Sequence, residues 1–253
     1  MIFDTHAHYD DKQFDEEREE ILNAMTEGGV GTIVNSGATL ASCKKTVELA
    51  DKYPFIYASV GFHPDEVGTL NEETFTDLKA LYQNEKVVAV GEIGLDYYWD
   101  KESHEVQKEW FIRQLNLARE LKLPVVIHSR EAAADTFEIL KEHAADLTCD
   151  IHCYSYSVEM AREYVKMGYY IGVGGVVTFS NAKKLKQVVA ETPLTQILLE
   201  TDCPYLAPTP NRGKRNSSLN LPFVVNQIAQ LKGVTSEEVI EQTEKNAKKF
   251  YQL

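Results

Sequence analysis

His6 and His8 stand two residues apart just after the first apolar run of the chain, and four more ligand-type side chains, Glu92, His128, His152 and Asp202, stand where later apolar runs stop. Residues two apart in an extended strand share a face about 7 Å apart, so both imidazoles of a His-x-His pair can converge on one ion. Two such histidines can also be polar neighbours satisfied by hydrogen bonds, and the other four positions weigh against that reading. Six ligand-type residues at the ends of five separate runs predict a ring of donors around one mouth. Imidazole and carboxylate donors without thiolates suit zinc, manganese, cobalt or iron, and magnesium where further oxygen and water ligands are present. The six exceed what one tetrahedral ion needs. The surplus is explained by two divalent ions bridged by Glu92, with His6, His8 and Asp202 on one side and His128 and His152 on the other.

Such a ring needs many strands that end on one face. Strands are predicted near Ile2–His6, Gly31–Asn35, Ile56–Gly61, Val87–Glu92, Val125–His128, Cys149–His152, Tyr170–Gly174 and Ile197–Asp202. Helical stretches lie between them, for example Asp15–Glu27, Glu72–Gln83, Glu102–Lys122 and Asn181–Glu191, with apolar residues at three- and four-residue intervals. Runs such as Val87-Val88-Ala89-Val90 and Ile197-Leu198-Leu199 are apolar without alternation, as parallel strands buried on both faces should be. The fold class expected is α/β, a single TIM-type (β/α)8 barrel over residues 1–253, whose strand ends carry the active site. An open doubly wound sheet is the structural alternative, but no Gly-rich nucleotide fingerprint follows any predicted strand. Pro204–Ser218 is the one long irregular connection in this reading.

The chain has 253 residues and 43% hydrophobic composition, enough for one barrel or two smaller domains. Met1 leads directly into Ile2-Phe3-Asp4-Thr5-His6, without the basic start and apolar stretch of a secretory signal. No apolar run approaches the roughly 20 residues that cross a bilayer, so a cytoplasmic protein without a membrane partner is expected. Cys43, Cys149, Cys153 and Cys203 are scattered rather than set at zinc-ribbon spacing, and are expected to remain thiols. A net charge of −13 counts against an extended basic nucleic-acid surface, while leaving room for a local basic groove or bound cations.

Other residues are candidates for substrate contact. His63, at the mouth of the third strand, can orient substrate or support the metal shell. Arg130 after the fifth strand, and Arg212, Lys214 and Arg215 after the eighth, can offer positive charge to phosphates; a solvated basic loop is the plainer alternative. Tyr97, Tyr98 and Trp99 can stack on unpaired bases or pack their own loop. His104 and His143 fall in helical stretches and are read as ordinary surface residues.

The segments Phe3-Asp4-Thr5-His6-Ala7-His8, Gly61-Phe62-His63-Pro64, Gly91-Glu92-Ile93-Gly94-Leu95-Asp96-Tyr97, Ile127-His128-Ser129-Arg130, His152-Cys153-Tyr154-Ser155 and Glu200-Thr201-Asp202-Cys203-Pro204-Tyr205 occur in this order along nearly the whole chain. In these segments the sequence resembles the TatD family of metal-dependent hydrolases and deoxyribonucleases. The resemblance implies an amidohydrolase-type barrel, a divalent-metal site, and 3′-to-5′ exonuclease activity on DNA. It also implies that His6, His8, Glu92, His128, His152 and Asp202 are the metal positions. The pattern departs at Ser217-Ser218, where the family usually has Glu-Pro, and at Tyr156, where glycine is common.

The function expected is a deoxyribonuclease acting on single-stranded ends. Two ions (Mg, Mn or Zn) would activate water and clamp the attacking and leaving oxygens. Asp202 would be general base, and Glu92 would hold the ions at their working separation. The alternative is a metal-dependent hydrolase of a small ester, amide, lactone or phosphoester. A non-catalytic barrel that binds metal or a partner is the remaining reading, but mixed His and carboxylate donors suit open coordination better than a closed structural site.

Overall fold

The apolar runs of the sequence become strands paired in chain order, and the computed structural model describes residues 1–99 and 102–253. The strands β1 (Ile2–Ala7), β2 (Val30–Ser36), β3 (Ile56–Val60), β4 (Val87–Asp96), β5 (Val125–Arg130), β6 (Cys149–Ile151), β7 (Tyr170–Val173) and β8 (Ile197–Leu199) make one eight-stranded sheet in sequence order. A parallel bridge from Ala7 to Cys203 returns the end of the series to β1. Helices alternate with the strands: α1 (Arg18–Asn23), α2 (Leu40–Lys52), α3 (Glu72–Leu81), α4 (His104–Leu121), α5 (Ala133–His143), α6 (Val158–Lys166), α7 (Lys183–Glu191), α8 (Leu221–Lys232) and α9 (Ser236–Tyr251). This is the (β/α)8 barrel of TIM type that the apolar runs predict.

Internal contacts divide the chain into two compact units, Met1–Asn35 with Cys153–Leu253, and Ser36–His152. In the first, β1 pairs with β2 and β7 with β8, both in parallel. The carboxyl-terminal helix α9 starts at a capping box between Thr235 and Glu238 and closes over these strands. Its Tyr251 hydroxyl donates to the Thr5 carbonyl, and its Asn246 amide donates to Leu194 and Ile197, tying down the start of β8.

In the second unit, β4 pairs in parallel with β3 and β5, and every residue of β4 is buried. Two buried glutamines on α4, two turns apart, grip backbone at the strand ends. Gln114 accepts from Phe62 N–H and donates to its carbonyl, and Gln107 does the same for Asp96. Each bond satisfies a backbone group that has left the ladder, which fixes the segments carrying His63 and Asp96. Gly94 has φ +149°, and a Cβ there would lie 1.9 Å from the His128 carbonyl oxygen, so β4 and β5 approach this closely only with glycine.

Two strand ends differ from the sequence expectation. β4 runs four residues past Glu92, because Gly94 and Asp96 continue the pairing with His128 and Arg130. β8 stops at Leu199, before Asp202, whose φ of +55° is outside the extended region. Helix α1 is also shorter than the predicted 15–27 span, covering Arg18–Asn23.

Candidate metal centre

Within the Ser36–His152 unit, Glu92 is 3% exposed and its carboxylate is ringed by imidazoles. Its Oε1 lies 2.5 Å from His128 Nδ1, 3.7 Å from His152 Nε2 and 3.9 Å from His63 Nε2. The opposite nitrogen of His128, Nε2, lies 2.9 Å from Asp96 Oδ2. Burial by itself lowers the His128 pKa, but the charge of Glu92 and hydrogen bonds to Asp96 and Glu92 outweigh it and raise the value to about 9. Asp96 is correspondingly lowered: burial opposes this, and the hydrogen bond to His128 prevails. Protonated His128 thus donates Nε2–H to Asp96 and its additional proton, Nδ1–H, to Glu92. The ligand atoms of His63, Glu92 and His128 all lie within 4.8 Å of one another. A buried carboxylate among neutral-capable imidazoles fits a divalent cation, which meets the same negative charge when that proton leaves.

Asp96 fixes which nitrogen His128 offers. By accepting from Nε2–H it leaves the Nδ1 lone pair directed toward the Glu92 side. Asp96→Ala is expected to weaken divalent-ion affinity about 10- to 100-fold without unfolding the protein. Calorimetric titration with Mn(II) measures this, and an unchanged affinity would contradict the assignment. His63 is held differently: its Nδ1 accepts from Asp65 N–H at 3.2 Å, so the neutral ring carries its proton on Nε2, toward Glu92. That tautomer suits donating to an oxygen more than ligating an ion.

Within the unit formed by Met1–Asn35 and Cys153–Leu253, His6 Nε2 and His8 Nε2 face each other at 3.0 Å, and Asp202 Oδ1 lies 3.4 Å from His8 and 3.9 Å from His6. Two imidazole nitrogens and a carboxylate oxygen this close form the kind of convergent N,N,O donor set that a divalent ion fits with positions left open. The backbone enforces it: Asp202 N–H and His8 N–H are hydrogen-bonded to the carbonyls of His6 and Cys203.

Behind this group lies Asp4, which accepts from His6 N, Thr201 N, Thr201 Oγ1 and Ser218 Oγ. Ser218, at a position of departure from the TatD pattern, therefore points inward, also bonded to Tyr9. Burial pushes the Asp4 carboxyl from 3.8 up to about 7, against the pull of the four donors. The folded state holds this proton more tightly than the unfolded chain. The contribution to stability is therefore complete below pH 3.8 and is lost as pH rises through 7. In chelator-treated protein, wild type is expected to lose up to about 4 kcal/mol relative to Asp4→Asn between pH 4 and 8, the amide having the shape of the neutral acid. Urea unfolding across this range measures the difference; parallel stability curves would count against it.

The candidate substrate residues divide by what they touch. Arg130 stacks its guanidinium 3.9 Å from the Tyr98 ring and 5.6 Å from Trp99, and the two rings are 49% and 56% exposed. Tyr97 is engaged elsewhere, its ring 3.5 Å from His104 and its hydroxyl bonded to Asp135. His104 is thus a partner of that loop, while His143 lies near Glu142 at the end of α5. Arg215 donates to the Gln13 carbonyl, pairs with Glu17 and covers the Phe14 ring. These contacts hold its loop to the start of the chain. Arg212 lies 4.2 Å over Phe179, and Lys214 is exposed.

Asp96, Asp4 and Glu200 were not singled out by the sequence reading. Glu200 is fully buried and accepts from Cys153 N–H at 2.7 Å. The signal was the two-residue alternation: positions 4, 6 and 8, positions 92 and 96, and positions 200 and 202 share parity, and hence a face wherever the backbone stays extended.

Residues 3–252 match the family model described as TatD related DNase. The chain is 45% identical to the uncharacterized metal-dependent hydrolase YabD of Bacillus subtilis, over the full length of both chains. It is 34% identical to the uncharacterized metal-dependent hydrolase YcfH of Escherichia coli, covering 100% of this chain and 96% of that one. The crystal structure of YJJV, a TatD homolog from Escherichia coli K12, superposes with a TM-score of 0.94 at 32% identity, covering 100% of this chain and 98% of the other.

Proposed function

Since the chain belongs to the TatD-related DNase family of metal-dependent hydrolases, we propose that it is a deoxyribonuclease that removes nucleotides from single-stranded 3′ ends. The observation that supports this most is the pair of imidazole–carboxylate clusters, His6, His8 and Asp202 in one unit and Glu92, His128 and His152 in the other. In this reading residues 1–253 act as one hydrolase domain that uses two divalent ions, with Glu92 holding them at their working separation.

Divalent ions at such a centre supply a nucleophile at neutral pH and a sink for phosphoryl charge. The chain's own groups do the rest. Asp202 accepts the proton of the attacking water as general base, its carboxylate held beside His8 by the left-handed turn after β8. Glu92 fixes the spacing of the donors around it. His63, with its proton on Nε2, donates to a phosphoryl oxygen. Arg130 with Tyr98 and Trp99 offers one charge and two exposed rings for an unpaired base. Lys214 adds exposed charge on the loop after β8. Among the described residues no helix is long and apolar enough to cross a membrane, and we place the protein in the cytoplasm.

The test is a panel of a 5′-labelled single-stranded oligonucleotide, a duplex, a lactone, a simple ester and a small phosphodiester, each with Mg, Mn or Zn and with chelator. Stepwise shortening of the single strand, abolished by chelator, is expected. Chelator-sensitive turnover of the ester or lactone, with the oligonucleotide intact, would instead assign a small-molecule hydrolase.

A further inference from the structure

A cavity of about 200 Å³ opens beside Asp202 in the unit that contains β7 and β8. Its buried lining includes backbone at Gly172 and Gly174 together with Tyr154, Thr201 and Leu185, and Val176 and Leu206 extend the apolar surface outward. Asp202 contributes a carboxylate, Glu200 lies fully buried behind the wall, and the exposed Asn181 and Lys184 stand where the cavity meets solvent. Resting on the nuclease reading above, we propose that this cavity receives the nucleobase of the terminal nucleotide, the one released by cleavage.

The chemistry selects that part of the substrate. Deep in this space a phosphate would lose its hydration against an apolar lining, so the anionic backbone is excluded from it. A planar heterocycle presents apolar faces to glycine, valine and leucine, and carries N–H donors on its edge. The exposed Asn181 amide in the lining offers an acceptor for such an edge. Lys184 at the mouth matches the 5′ phosphate of the terminal nucleotide, the one at which cleavage occurs. Seating the base beside Asp202 places its phosphodiester at the general base, so affinity for the base positions the bond that breaks.

The experiment compares two single-stranded oligonucleotides, identical except that one ends in an abasic sugar. The wild-type enzyme, loaded with the ion that supports activity, is expected to show a KM for removal of the abasic end higher by about tenfold or more, the order lost with one base contact. Val176→Trp fills the cavity from one side and Ala182→Phe from another, both at half-exposed positions. Each is expected to raise KM for the base-bearing end toward the abasic value and to erase the preference, with metal content unchanged. Equal KM values for the two ends in wild type, or a preference that survives in both filled variants, would overturn the proposal while the nuclease reading stands. Failure to shorten either oligonucleotide would overturn both.

Discussion

Glu92→Ala is expected to lose activity by at least about three orders of magnitude, equivalent to about 4 kcal/mol of transition-state stabilisation, and to lose tight divalent-ion binding with it. The reason is the number of groups that depend on one carboxylate. Glu92 Oε1 faces His128, His152 and His63 at 2.5, 3.7 and 3.9 Å, so its removal leaves three imidazoles without their common anion. A charged ion entering that cluster would find imidazoles and Asp96, the latter already bonded to His128. The strand itself does not depend on Glu92: pairing with β3 and β5, and the grip of Gln107 on Asp96, remain. Thermal unfolding of the metal-free variant should therefore stay near that of metal-free wild type. Glu92→Gln, which keeps the shape and removes the charge, should lose nearly as much activity, and full activity in either variant would reject the bridging role.

Asp202→Asn is expected to reduce kcat by about 10²- to 10⁴-fold, the range for loss of a positioned general base. The amide keeps the hydrogen bonds of the turn, since Asp202 N–H still donates to the His6 carbonyl. It cannot accept a proton from water. Because His6 and His8 remain, ion binding should weaken less than turnover falls, and this separates Asp202 from Glu92. Single-turnover rates with saturating metal measure the chemical step; a kcat within a few-fold of wild type would remove Asp202 from the base role. The acid limb of the pH–rate profile should also flatten in the variant, since the group that must be ionised is gone.

The architecture was legible because parallel strands covered on both faces are written as uninterrupted apolar runs. Val87-Val88-Ala89-Val90 opens strand β4 and Ile197-Leu198-Leu199 is strand β8, both buried throughout. Strand ends were less legible. The extension of β4 from Glu92 to Asp96 depends on Gly94 approaching the backbone of His128, a contact 34 positions away in sequence that no local pattern encodes. The stop of β8 at Leu199 likewise depends on the segment beyond it turning back onto His6 and Asp4. His6, His8 and Glu92 were visible as ligand types at the ends of runs. Asp4, buried beneath His6, looked like part of a strand, since nothing local reveals that Ser218 will donate to it across 214 positions. Arg215 shows the converse: it reads as a free cation until the fold sets it against Glu17 and Phe14.

Titration of chelator-stripped protein with Mn(II), followed by shortening of a 5′-labelled single strand, bears most directly on the binuclear assignment. Two equivalents of bound ion per chain, with activity returning in step and falling away in Glu92→Ala, is the predicted result. Undiminished cleavage by stripped protein, or ion binding that ignores Glu92, would contradict it.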